Sequence, residues 1–170
     1  MRHILGSERG FTLIELFIVF ALTLLLAGFA IPYLRGFNAV TRIDSAADQV
    51  LTLLASAQER SIGQEQDSRW GVHFSHPSSG KSSFAIYKVD EEVFDPETIG
   101  STPPGEVLES RSLGSAVAFT DPAEDEYRTV VFDRGTGTPL TAATITITSL
   151  QSGNLNRSVI VHENGLIERQ

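Results

Sequence analysis

The sequence has no cysteine, one methionine and one tryptophan in 170 residues. Without cysteine there can be no disulfide framework, no thiolate-bound metal and no thiol catalysis. Basic residues are scarce as well: 13 Lys+Arg stand against 21 Asp+Glu, a formal net charge of −8. That balance argues against a protein whose main task is gripping nucleic acid, which needs a basic face. No nucleophile elbow, GxGxxG or HExxH pattern is present. Gly80-Lys81-Ser82 echoes the end of a phosphate loop, but the upstream glycine is missing and a hairpin loop is expected there. His73 and His76 lie three residues apart in a strand or turn, a spacing that points their rings to opposite faces. No enzyme, cofactor or metal site is implied.

What the chain does have is one long apolar run. Residues 11–34 contain a single side chain charged at neutral pH, Glu15. As a helix rising about 1.5 Å per residue they would span ~36 Å, enough for a hydrocarbon core of ~30 Å. Residues 1–10 form a short polar leader with Arg2 and Arg9, which predicts a cytoplasmic N-terminus and an exported C-terminal part. The competing reading, a secretory signal peptide, expects a shorter apolar core and a small-x-small cleavage site. Pro32-Tyr33-Leu34-Arg35 makes a poor one.

Glu15 is the anomaly. A carboxylate inside a membrane span costs roughly 2.5–3.5 kcal/mol on insertion scales and requires a partner or a function. No Lys, Arg or His lies within residues 11–34 to supply a partner. Cutting the chain between Gly10 and Phe11 would create a positive α-amine one helical turn away, on the same chain or on a neighbour. The plain alternative is a solitary glutamate snorkelling to the interface.

Gly10-Phe11-Thr12-Leu13-Ile14-Glu15 after a short basic leader resembles the type III signal of type IV pilins and type II secretion pseudopilins. The resemblance covers about residues 6–40. It implies that a prepilin peptidase cuts after Gly10, that the new N-terminal Phe11 is methylated, and that Glu15 guides subunit assembly. Pro32 matches a proline common in that family's helix. With Gly28 it reads either as a kink that fits the helix into a filament core or as a tolerated membrane-helix proline.

Beyond Arg35, Val40, Ile43, Ala47, Val50, Leu54 and Ala57 recur at steps of three and four, with polar residues between them. That spacing predicts an amphipathic helix continuing to about Ile62, with Gly63 as its stop. The expected organisation is a leader (1–10), a transmembrane or filament-core helix (11–35), an amphipathic helix half (36–62) and a β-rich periplasmic domain (63–170). Within the last, strands are expected at 69–74, 84–89, 106–113, 116–120, 128–132, 144–148 and 158–162, with turns at 135–139, 152–154 and Asn164-Gly165. The fold class is α+β, a long N-terminal helix packed on antiparallel sheet.

Val131-Phe132-Asp133-Arg134-Gly135, the strand at 143–148, Arg157-Ser158-Val159-Ile160-Val161 and Asn164-Gly165-Leu166-Ile167 together resemble the H-type minor pseudopilins and the related FimT-like minor pilins. The resemblance implies a structural subunit at or near the tip of a type II secretion pseudopilus, anchored in the inner membrane. Its partners would be the prepilin peptidase and the other pseudopilins or pilins of one filament. The alternative is a minor type IV pilin acting in pilus assembly or DNA uptake. Residues 63–170 carry 8 Lys+Arg against 16 Asp+Glu, so nucleic acid is not an expected partner. Acidic clusters at 90–97 and 121–126 offer oxygen ligands for calcium, but neither has EF-hand spacing, and solvated loops are the expected reading.

Overall fold

A run rich in leucine and alanine, with no proline before Pro32, opens α1 (Leu13–Ile62), 50 residues long. The computed structural model describes residues 11–89 and 102–170, and the side chains of 29–37 and 154 lie outside that description. The leader and the 90–97 cluster therefore fall outside the described residues, while the backbone at Pro32, where a kink is expected, lies within α1. The chain divides into two compact units, the first ending at Asn38 and the second running Ala39–Gln170.

In the second unit the outer part of α1 buries Ile43, Ala46, Ala47, Val50, Leu53, Leu54 and Ala57. Val40, expected on this seam, is 39% exposed, and Ala39 is buried in its stead. The helix ends at a short 3-10 turn (Glu65–Asp67) and leads into eight strands. These are β1 (Trp70–Ser75), β2 (Ser83–Val89), β3 (Gly105–Ser112), β4 (Val117–Asp121), β5 (Tyr127–Phe132), β6 (Ala143–Ser149), β7 (Ser152–Val161) and β8 (Ile167–Arg169). They form two four-stranded sheets of order β3-β2-β1-β5 and β4-β6-β7-β8, with every pairing antiparallel.

The two sheets share one core with the helix. Phe74 and Phe84 of the first sheet meet Phe119 of the second, edge-on, at ring-centroid distances of 5.7 and 6.3 Å. In β6 the alternation expected of Thr144-Ile145-Thr146-Ile147-Thr148 is realised: both isoleucines are fully buried and the threonines half-buried. The segment around Lys81 is the hairpin loop between β1 and β2.

All seven expected strands are present, with two corrections. Ser152-Gly153-Asn154 belongs to β7 rather than to a turn, and the hairpin turns at Leu150-Gln151. Strand pairing with Ser149 overrides the local glycine and asparagine signal. β8 is an addition to the expected set: the Asn164-Gly165 turn, with Gly165 at φ +86°, returns the chain to pair Ile167 with Val161.

The helix is fastened to the sheets by polar contacts at its C-terminal end. Ser61 is fully buried; its Oγ accepts the Trp70 N–H at 2.9 Å and donates to the Phe132 carbonyl at 3.2 Å. Gln58 Nε2 donates to the carbonyls of Gly137 (2.8 Å) and Gly165 (2.7 Å), joining the two turns flanking the helix end. Ser61→Ala strands the Trp70 amide in the interior, an expected loss of about 2 kcal/mol. Trp70 is the lone tryptophan, so its fluorescence during thermal unfolding reads the shift directly.

Candidate assembly site

The first unit opens with a reciprocal cap. The Thr12 hydroxyl accepts the Glu15 N–H at 3.3 Å, while Glu15 Oε2 lies 3.4 Å from both the Thr12 N–H and its hydroxyl. This is the Thr-x-x-Glu capping box, which satisfies two amide donors that the helix itself cannot reach. Thr12-Leu13-Ile14-Glu15 carries that signature openly in the sequence. Weighed only as an intramembrane charge in want of a cation, Glu15 looks stranded; its partner on its own chain is a backbone donor and a hydroxyl. The carboxylate also sits at the positive end of the helix dipole.

Behind the cap, the helix is apolar all round. Phe11, Leu13, Ile14, Leu16, Phe17, Ile18, Val19, Phe20, Leu22 and Leu24 to Leu26 are each between 54% and 85% exposed. An exposed apolar surface of this extent marks a site of contact with other apolar groups. Among the described residues no helix is long and apolar enough to cross a membrane. The described side chains of this run stop at Gly28, where an added methyl group would meet nothing within 4 Å. Gly10 lies outside the described residues, Phe11 is 85% exposed, and Glu15 is held by Thr12.

The second unit's charges are largely spent on one another. Arg157 pairs with Asp44 at 2.8 Å and Arg169 with Asp48 at 2.6 Å, tying β7 and β8 to α1. Arg60–Glu65, Arg69–Asp133, Arg111–Glu109, Arg128–Asp121 and Arg134–Asp67 are further pairs. In the 121–126 cluster, Asp121 is bound by Arg128 at 2.6 Å. Asp125 Oδ1 accepts the Ser78 N–H at 2.8 Å, which holds its carboxyl below the usual range. His73 Nδ1 lies 2.9 Å from Thr129 Oγ1 and its ring stacks on Tyr127. A shallow groove of about 710 Å³ is lined by Asp121, Arg128, Thr144, His162, Glu163 and Asn164 among others. Polar pairing continues at its rim, with His162 Nε2 2.9 Å from Glu168 Oε1.

No protein-family model matches the chain. Two fimbrial proteins of Pseudomonas aeruginosa are each 32% identical to it over 92 residues, which cover 47% of this chain and 60% of the relative. The type IV minor pilin FimU of Pseudomonas aeruginosa superposes on it with a TM-score of 0.51 in one crystal form, at 17% identity, over 79% of this chain and 92% of FimU. In a second crystal form the TM-score is 0.47 over 75% of this chain. At that identity the likeness is one of fold. The chain therefore has the α+β fold of a pilin, an N-terminal helix with antiparallel sheets, and a sequence similar over part of its length to fimbrial proteins.

Proposed function

We propose that this chain is a minor subunit of a type IV pilus, a structural protein held in the filament by the first half of α1. The observation that carries the reading is that apolar half-helix, exposed on every side and opening on Thr12 and Glu15. In the proposed sequence of events it sits in the inner membrane until prepilin peptidase cuts after Gly10. It then packs against the corresponding helices of neighbouring pilins. The sequence alone leans towards a secretion pseudopilus. The fimbrial relatives and the fold of FimU support the pilus reading better. The test is to shear and collect pili and probe them for this chain. It should be found there only in cells with an active prepilin peptidase. A chain confined to the membrane fraction while pili assemble normally would contradict the reading.

A DNA-uptake role fits the charges poorly. Among the described side chains, seven arginines stand against carboxylates of the same molecule, leaving Arg42, Lys81 and Lys88, and the full sequence carries a net charge of −8. The purified protein is expected to bind duplex DNA no better than a neutral control at roughly physiological salt. Sub-micromolar binding that weakens steeply as salt is added would reverse this.

A further inference from the structure

We propose that Thr12 is a positioning residue for Glu15, fixing the direction from which the carboxylate is offered to a neighbouring subunit; the inference rests on the filament reading above. Three contacts carry it. The Thr12 hydroxyl takes the Glu15 N–H at 3.3 Å, and the Glu15 carboxylate returns to the Thr12 N–H and hydroxyl at 3.4 Å each. A glutamate three bonds from its backbone has several rotamers to choose from, and in a span it would turn towards the interface to recover water. The box removes that freedom. It ties one carboxylate oxygen, Oε2, to the first helical turn and leaves Oε1 for a partner. An incoming amine then meets a charge already in place, so less rotamer entropy is lost on contact. Thr12 touches no partner itself and acts through Glu15.

The test uses the full-length, peptidase-processed protein with two variants at one position. Thr12→Val keeps the branched shape and removes the hydroxyl; Thr12→Ser keeps the hydroxyl. Hydrogen exchange of the Glu15 amide in lipid nanodiscs reads the cap, and recovery in sheared pili at matched membrane levels reads assembly. In Thr12→Val, exchange should quicken about fivefold, the usual size of a lost N-cap, and recovery in pili should fall by a similar factor. Thr12→Ser should match the parent in both. Unchanged exchange in Thr12→Val overturns the inference, as does quickened exchange with full recovery in pili, which would make the cap merely structural. A serine variant as poor as the valine one also overturns it, since the hydroxyl would then not be what acts. Failure of the filament reading is distinct, because the parent protein itself would be missing from pili.

Discussion

Glu15→Val is expected to be cleaved and inserted normally yet to vanish from sheared filaments. The substitution makes the span more apolar, so the step into the membrane becomes easier by the roughly 2.5–3.5 kcal/mol that a carboxylate costs there. What is lost is the one charge within residues 11–34. If a neighbour's Phe11 amine is its partner, the incoming subunit loses the contact that sets its axial register, and incorporation should drop by well over an order of magnitude. The variant also lacks the carboxylate half of the Thr12 box, a smaller effect of about 1 kcal/mol. The double variant with Thr12→Val should be no worse than Glu15→Val alone, since both act through one carboxylate. A snorkelling glutamate without a partner predicts normal incorporation instead. Cross-linking to adjacent pilins at equal membrane levels separates the two outcomes.

The largest effect on stability is expected at Gly71. This residue sits in β1 between β2 and β5, facing Tyr87 and Val131 across the sheet. A methyl group there would come 2.9 Å from the Val130 carbonyl oxygen and 2.9 Å from the Tyr87 hydroxyl. The carbonyl belongs to a strand and cannot step aside. The phenol is fully buried, in a cluster with Val89 and Val131, and that burial pushes its ionisation well upward. Gly71→Val should therefore cost about 3 kcal/mol or more through overpacking. For the unit formed by Ala39–Gln170 this corresponds to a fall in Tm of roughly 10 °C. Thermal unfolding followed by Trp70, the adjacent residue, measures it. A shift within about 2 °C, less than 1 kcal/mol on the same scale, would show that the sheet yields at this point.

Much of this architecture is legible because it follows local periodicity. The three-and-four spacing from Ile43 to Ala57 announces the buried helix face, and the Ile145/Ile147 alternation announces a half-buried strand. The exceptions have physical causes. β7 runs through Gly153 because pairing outweighs local propensity, and β8 is too short, at three residues, to show any period. Gly71 looks in sequence like a weak point in a strand; only the register with Tyr87 shows it to be a necessary one. The pairs Arg157–Asp44 and Arg169–Asp48 join residues 113 and 121 positions apart, a distance no local pattern bridges. At the candidate assembly site the opposite holds. Thr12 and Glu15 are readable as a capping box from their spacing, but the apolar run around them draws the eye to charge.

Whether this chain is a processed filament subunit is read from the intact mass of the protein extracted from membranes of peptidase-positive cells. The expected mass is that of a chain that starts at Phe11 and carries one added methyl group, with Gly10→Val leaving the leader attached. A mass that retains residues 1–10 in the parent protein, in cells that process their other pilins, would contradict it.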